Sequence, residues 1–350
     1  MLDSIEIENF RGFQNASLDD LGRVNVIVGQ NSSGKTALLE AIYLTLGAPE
    51  LAFKLRLWRG LGGNIQVTGQ PESKTALWRD LFFQFDEHKP ASILFKGTDD
   101  IARKFKISGI RESGITIRPS KGKPSADIES APPILFEWSK RGQPIGAAKP
   151  EVRDGALHIS GAPPPLPGAF FSSASPVSPE ETANWFSELR KKRKEEVIVL
   201  AMRGLFPFID DLSVETFNGT PMVFVDVPTL SEKIPAGLVS SGVNKLLAML
   251  VGIVQQAKGI IIVDEIENGV YYDLLPKMWK ALYECCKEYE VQLFASTHSL
   301  ECLRAAGSVS KGHENDFSLI RTGLENGRCI VHQSSGLNFR RAIEQHIEIR

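Results

Sequence analysis

Apolar residues in the first 46 positions follow two different periods. Ile5 and Ile7 alternate with polar residues and, together with Phe10, predict a strand at the start of the chain. The apolar run Val24–Val28 predicts a second strand, and a glycine-containing loop then leads into an apolar helix over Ala37–Leu46. The chain therefore opens with a strand, loop and helix unit typical of α/β proteins.

The last third alternates helix-like and strand-like segments. Helices are predicted over Asn244–Gln256 and Leu274–Glu288, and apolar strands over Ile260–Val263 and Val291–Ala295. Two apolar strands separated by a helix are typical of parallel strands in a buried sheet. Polar residues that follow such strands lie at the edge where open α/β sheets bind ligands.

The middle of the chain has a different hydrophobic pattern, with short apolar stretches separated by turn residues. These stretches indicate an antiparallel β region from Leu81 to Ser160, followed by a proline-rich loop over Gly161–Gly168. One long helix is predicted from Pro179 through the charged residues 190–196 to Leu205. The remaining predicted elements are two short strands, Ser213–Phe217 and Val223–Val227. The first and last thirds are thus expected to form one α/β unit around an inserted middle.

Composition narrows the class of protein. The chain has 350 residues and a formal net charge of −2, so no global attraction to nucleic acid is expected. Its longest apolar run, Leu246–Val254, is too short to span a bilayer, which takes about 18 residues. The first ten residues are acidic and lack the pattern of an export signal. The four cysteines (Cys285, Cys286, Cys302, Cys329) form no disulfide or zinc pattern, and we expect a cytoplasmic protein.

Residues 29–36, GQNSSGKT, match the phosphate-binding pattern GxxxxGK[ST] without a departure. Glycines let backbone N–H groups curl around a phosphate, and the helix that follows points its positive end at the same anion. Lys35 can reach the β- and γ-phosphates, while the Thr36 hydroxyl can bind Mg²⁺. The predicted nucleotide-binding residues are Gly29, Asn31, Ser32, Ser33, Gly34, Lys35, Thr36 and Ala37.

Polar residues follow both apolar strands of the last third. Asp264 and Glu265 come directly after Ile260–Val263; the first is placed to hold Mg²⁺ and the second to accept a proton from an attacking water. His298 follows the next strand, where it could hydrogen-bond a γ-phosphate. Taken alone, an acidic strand end or a single histidine has a structural explanation, and the P-loop upstream is what favours the functional one.

A fourth segment, Val239–Val243, places Ser240, Ser241 and Gly242 just before a helix. Hydroxyls and free N–H groups at a helix start form an anion-binding surface. An ordinary N-cap explains the same residues equally well when they are taken alone.

In this order, the four segments resemble the head domain of ABC-type ATPases of the SMC, RecF and Rad50 kind. They most resemble the compact OLD-type and AAA15/AAA21 ATPases of bacterial defence and abortive-infection systems. The resemblance rests on the sequences IEIENFRGF, GQNSSGKTALLEAIY, IPAGLVSSGVNKLL, IIIVDEIENGVYYDLLPKMW and VQLFASTHSLECLRAA. It implies an α/β fold with a mostly parallel P-loop core sheet, an antiparallel β subdomain and an inserted helical and β region. The implied core is 1–48 and 195–350, and the implied insert, with signature-lobe elements, is 49–194.

The resemblance also implies roles for individual residues. Lys35, Glu265 and His298 would be catalytic, with Glu265 as the general base, and Thr36 and Asp264 would hold Mg²⁺. Ser240, Ser241 and Gly242 would contact ATP bound to a second copy, although Val243 stands where many signatures have Gln or Glu. Glu267, Asn268 and Gly269 would form the D-loop between the copies. Two weaker assignments place Arg11 near the nucleotide and Gln84 in the Q-loop.

The implied mechanism is that two heads close around ATP and separate when it is hydrolysed. Only 52 residues follow His298, too few for the Toprim nuclease domain of OLD-type proteins. We therefore expect a separate effector, either a Toprim-like nuclease or a toxin.

Two other functions fit the same sequence: a RecF-like DNA-binding ATPase in repair, and a scaffold that assembles on ATP with little hydrolysis. The basic run 190–194 could contact DNA; a solvated helix surface with Glu195 and Glu196 as partners is the simpler interpretation.

Overall fold

The computed structural model of the chain describes residues 1–47, 78–97, 101–109, 134–153, 156–173 and 178–344. The predicted insert, 49–194, therefore lies partly outside the described residues. In chain order the strands are β1 (Leu2–Phe10), β2 (Phe13–Leu18), β3 (Val24–Gly29), β4 (Ala91–Gly97), β5 (Ile101–Gly109), β6 (Ile134–Lys140), β7 (Gln143–Arg153), β8 (Ala156–Ser160), β9 (Gly168–Phe171), β10 (Asp211–Phe217), β11 (Thr220–Asp226), β12 (Ile234–Pro235), β13 (Ile260–Val263), β14 (Gln292–Ser296), β15 (Phe317–Glu325) and β16 (Arg328–Ser335). The α-helices are α1 (Lys35–Leu44), α2 (Pro179–Lys191), α3 (Glu196–Leu205), α4 (Ala236–Val239), α5 (Ser241–Gln255), α6 (Leu275–Glu288), α7 (Leu300–Val309) and α8 (Leu337–Glu344).

A six-stranded sheet with the order β16-β15-β3-β14-β13-β9 forms the core. Its strands from β15 to β9 are parallel, and β16 pairs antiparallel with β15. All six residues of β3 and all four of β13 are buried, as expected for parallel strands covered on both faces. The predicted parallel core is confirmed.

Alternate residues of these strands enter two different hydrophobic cores. Ile27, Ile260 and Ile262 pack on α1 and on a seven-stranded antiparallel sheet, β2-β1-β4-β5-β6-β7-β8. Val26 and Ile261 face the opposite side, where the core sheet packs against helices of the second half of the chain, among them α2, α3 and α5. The helix that follows the P-loop is thus enclosed between two sheets, which holds its N-terminus in place.

Two details of the sequence interpretation are wrong. The single helix predicted over Pro179–Leu205 is broken, because α2 ends at Lys191, α3 begins at Glu196, and Arg193 between them has a left-handed φ of 56°. Lys191 forms an ion pair with Glu188, whereas the predicted i,i+4 pairing required Glu195 as its partner. The basic residues 190–194 are all exposed, and their contact with DNA stays a prediction.

The strand β9 was not predicted. It emerges from the proline-rich loop and pairs in parallel with β13, so that Phe171 lies beside Val263. Segments from both sides of the predicted boundary at residue 194 therefore share one sheet, while the division into core and insert stays a prediction.

Among the described residues, no helix combines the length and apolar character needed to cross a bilayer.

All four cysteines are buried free thiols. Burial raises the pKa of Cys285 and of Cys302 to about 12 and raises that of Cys286 well above its usual value. A thiol with a raised pKa stays protonated at pH 8, and the protonated form is a poor nucleophile. We expect slow reaction of the native protein with Ellman's reagent at pH 8 and rapid reaction of all four thiols in denaturant. A fast stoichiometric burst from native protein would contradict this arrangement.

Candidate functional site

The predicted phosphate loop connects β3 to α1. Its backbone turns through left-handed conformations at Gly29 (φ 151°), Ser32 (φ 64°) and Gly34 (φ 102°). Such turns direct successive N–H groups toward one point and make an anion-binding concavity. A Cβ at Gly29 would lie 2.4 Å from the carbonyl oxygen of Thr322, so a larger residue cannot occupy this position without a shift. Gly34 caps α1 and has no side chain to cover the N-terminal N–H groups.

The loop faces an open cleft of roughly 660 Å³. Its fifteen lining residues comprise ten that were predicted from the sequence and five others, two of them aromatic. These are Arg11, Gly12, Asn31, Ser32, Gly34, Lys35, Thr36, Ala37, Asp80, Phe82, Gln84, Phe85, Glu265, His298 and Cys329.

The Lys35 side chain is folded back into its own loop. Its ammonium donates hydrogen bonds of 2.7 Å to the carbonyl oxygens of Gly29 and Gln30. Burial lowers the pKa of Lys35, and the nearby carboxylates of Asp264, Glu265 and Glu267 oppose that shift by favouring the charged amine. Among the described residues, the hydrogen-bond partners of the Lys35 ammonium are thus two neutral carbonyl oxygens of its own loop.

Asp264 follows β13 directly and is buried behind Thr36, which lines the cleft. Its Oδ2 accepts hydrogen bonds from the Thr36 hydroxyl at 3.3 Å and from Ser173 at 3.1 Å, and its Oδ1 accepts one from Ser296 at 2.5 Å. A hydroxyl and a carboxylate oxygen that lie this close fit the hard oxygen ligands that Mg²⁺ requires. Thr36 and Asp264 are therefore the residues that could hold a magnesium ion.

Glu265 stands beside Asp264 with a left-handed backbone, φ 51°. Its amide N–H donates to the Ser296 hydroxyl at 2.8 Å, and its carbonyl accepts from the Lys245 ammonium at 2.6 Å. The carboxylate accepts a hydrogen bond from Asn268 and lies 3.7 Å from Nε2 of His298. Glu265 is thus held at the cleft by four neighbouring side chains, two at its backbone and two at its half-exposed carboxylate.

The D-loop residues divide between two environments. Glu267 accepts a 2.8 Å hydrogen bond from the backbone N–H of His298, which ties the ends of β13 and β14 together. Asn268 and Gly269 are exposed.

The signature residues lie apart from the cleft. Ser240 caps α5 by accepting a hydrogen bond from the N–H of Val243 at 3.0 Å, as an N-cap does. Ser240 and Ser241 are exposed, and Gly242 is buried against the carbonyl of Gly269. Within the described part of the chain, none of these three lines the P-loop cleft. Val243 is apolar because it packs in the core.

Arg11 and Gln84 both reach the cleft. The Arg11 guanidinium forms ion pairs with Glu40 of α1 at 2.5 Å and with Asp80 at 2.9 Å. Gln84 is exposed in the cleft with a left-handed φ of 53°. Their predicted roles stay predictions, since their position alone does not assign a function.

Sequence reasoning missed Ser173 and Lys245. Ser173 follows β9, so the rule that polar residues after parallel strands line the site would have found it had that strand been predicted. Lys245 is one turn into α5 and gave no signal, because a lysine in an amphipathic helix is normally a surface residue. Burial lowers its pKa, opposed by the carboxylates of Glu267, Glu265 and Asp264.

The chain is similar to one protein family and to several known proteins. Residues 24–304 match the AAA_21 family, described as "AAA domain, putative AbiEii toxin, Type IV TA system". An ATP/GTP phosphatase of Helicobacter pylori is 22% identical over 349 residues, which cover 91% of this chain and 90% of that protein. The RecF replication and repair protein of Psychromonas ingrahamii is 55% identical, but over only 42 residues and 12% of each chain.

Among solved structures, an Smc head bound to the C-terminal winged-helix domain of ScpA superimposes with a TM-score of 0.56. The match covers 95% of this chain and 97% of that one at 15% identity, so it concerns the fold alone. The predicted ABC-head fold is confirmed by this likeness. The fold is that of an SMC-type head. Since the AAA_21 model spans most of the sequence, the chain belongs to the AAA_21 family.

Proposed function

We propose that this protein hydrolyses ATP in the P-loop cleft with Mg²⁺, that two copies close around the nucleotide, and that this cycle controls a separate effector. The observation that supports the proposal best is the convergence of Lys35, Thr36, Glu265 and His298 on one cleft at the carboxyl edge of a parallel sheet.

When phosphate binds, the Lys35 ammonium would exchange its present hydrogen-bond acceptors for phosphate oxygens. In the structure its ammonium contacts two neutral carbonyl oxygens, at Gly29 and Gln30. Hydrogen bonds in which both groups are charged are shorter and stronger than those to neutral acceptors. A triphosphate therefore offers Lys35 better partners, while the loop amides and the α1 N-terminus hold the remaining oxygens.

Thr36 and Asp264 would hold the magnesium ion, and Ser173 and Ser296 would orient the Asp264 carboxylate. Bound Mg²⁺ would supply charge neutralisation at the phosphates. Glu265 would take a proton from the attacking water, and Asn268 and His298 are close enough to keep its carboxylate at the cleft.

Dimerisation is supported by where the signature lies. Ser240 and Ser241 are exposed at the start of a helix but lie outside the cleft of their own chain. Their hydroxyls and the α5 N-terminus are suited to an anion, and the triphosphate of a second copy is the anion that completes both sites.

The effector part of the proposal draws on the family description, which names a toxin and a toxin–antitoxin system. We propose a role in bacterial defence or abortive infection with a Toprim-like nuclease or a toxin as the partner. Co-purification with the product of the adjacent gene, stronger or weaker with ATP than without it, tests this part. A neighbour product that never binds, with or without nucleotide, would overturn it.

Lys35→Met is the direct test of the nucleotide site. We expect loss of ATP binding, measured with a fluorescent ATP analogue, because the cation at the loop is removed while the side-chain length is kept. Lys258→Met, an exposed lysine that follows α5, is the matched control and should bind as wild type does.

Mass measurement by light scattering completes this test. Wild type with ATP and Mg²⁺ should form dimers, and Lys35→Met should stay monomeric. If wild type stays monomeric, or if Lys35→Met still binds ATP tightly, the proposed function is wrong.

A further inference from the structure

The first two turns of α5 contact the Asp264–Gly269 segment of the same chain at two points. A Cβ at Gly242 would lie 2.3 Å from the carbonyl oxygen of Gly269, so the helix backbone rests directly on that segment. One turn later, the Lys245 ammonium donates its 2.6 Å hydrogen bond to the carbonyl oxygen of Glu265. These two contacts therefore connect the signature residues to Glu265 within the same copy of the protein.

Glu265 depends on such support. Its left-handed backbone is uncommon for a residue with a side chain and persists only where the surroundings hold it. Ser296 holds the amide on one side and Lys245 holds the carbonyl on the other. Since the backbone sets the direction of the side chain, these two contacts place the Glu265 carboxylate at the cleft.

Ser296 and Lys245, which hold the Glu265 backbone, lie on different elements of the fold. Ser296 ends β14, which pairs with β13, the strand just before Glu265, so Ser296 and Glu265 should move together. Lys245 belongs to α5, whose exposed N-terminus carries Ser240 and Ser241. A displacement of α5 is therefore transmitted to Glu265 through Lys245, and the sheet itself need not change.

We propose that Lys245 is a positioning residue that couples the signature of each copy to the catalytic carboxylate of that same copy. This inference rests on the proposed function. When the signature of one copy docks on the nucleotide of the other, α5 is fixed, and Lys245 then holds Glu265 in the geometry for hydrolysis at its own site. Each site thus reports its occupancy to the other.

The variants Lys245→Met and Lys245→Arg test the role of the ammonium. Lys245→Met should lower kcat about 10- to 100-fold, as expected for a misplaced catalytic group. ATP affinity should stay within about twofold, because Lys245 does not line the cleft. Lys245→Arg keeps a donor and should recover part of kcat, and Lys258→Met should match wild type.

Mixed dimers separate positioning from a general structural effect. One copy carries Glu265→Gln, so that ATP is bound at both sites but hydrolysed at only one. When Lys245→Met is placed in the other copy, beside the working Glu265, we expect the rate to fall. When Lys245→Met is placed in the Glu265→Gln copy, the rate should equal that of the dimer with Glu265→Gln alone.

The outcomes are distinct. Equal rates for the two arrangements, or a greater loss in the second, would overturn the coupling and leave the proposed function standing. An unchanged kcat in the Lys245→Met homodimer would do the same. If the Glu265→Gln protein neither dimerises on ATP nor loses hydrolysis, the proposed function itself fails.

Discussion

Glu265→Gln is expected to slow ATP hydrolysis by about 10²- to 10⁴-fold, the usual contribution of a general base. Glutamine keeps the size of the side chain and can still pair with Asn268 and His298, but it cannot accept the proton of the attacking water. ATP binding through Lys35 and the loop should persist, so the variant should accumulate as an ATP-bound dimer. Phosphate release under single-turnover conditions and mass by light scattering measure the two effects.

Glu284→Gln on the exposed face of α6 is a matched control and should hydrolyse ATP at the wild-type rate. The comparison also decides between an enzyme and a scaffold. If phosphate release is the same in wild type and Glu265→Gln while dimers still form, the protein assembles on ATP without using this carboxylate, and the scaffold interpretation is correct.

Gly242→Ala is expected to lower both ATP-driven dimerisation and kcat by at least about tenfold. The new methyl group would lie 2.3 Å from the backbone carbonyl of Gly269, so α5 and the D-loop must separate. Displacement of a catalytic or binding group by about 1 Å can cost about 10²-fold in rate. Steady-state kinetics and the ATP concentration needed for dimer formation would record the loss.

Gly237→Ala provides the control for this prediction. Gly237 lies five residues earlier, and a Cβ there would meet no atom within 4 Å. It should therefore behave as wild type. Equal activity of the two alanine variants would show that the contact between Gly242 and Gly269 has no bearing on the site.

The parts predictable from the sequence were those with local physical signals. Hydrophobic periodicity predicts the strand over Val24–Val28. Phosphate chemistry gives roles to the GQNSSGKT loop and to the acidic pair after Ile260–Val263. The structure brings Lys35, Glu265 and His298 together as predicted. The parallel arrangement of β13 and β14 followed from their apolar character and the helix between them.

The missed features depend on contacts between distant segments. The short strand β9 has four residues, and its partner strand in the described part of the chain, β13, lies about ninety positions away. The break after Lys191 needed a left-handed turn at Arg193, which a run of basic residues does not indicate. Lys245 looks like a surface lysine until α5 packs on Glu265, twenty positions away.

Within the described residues, one side of the core sheet has a consequence for aggregation. It ends in the four-residue strand β9, and the preceding chain contains Pro163, Pro164, Pro165 and Pro167, which have no N–H to donate. Short edge strands and prolines are means by which proteins prevent β-strands of neighbouring molecules from adding to a sheet. Fibril-like growth along this edge is thereby disfavoured even when the protein is abundant.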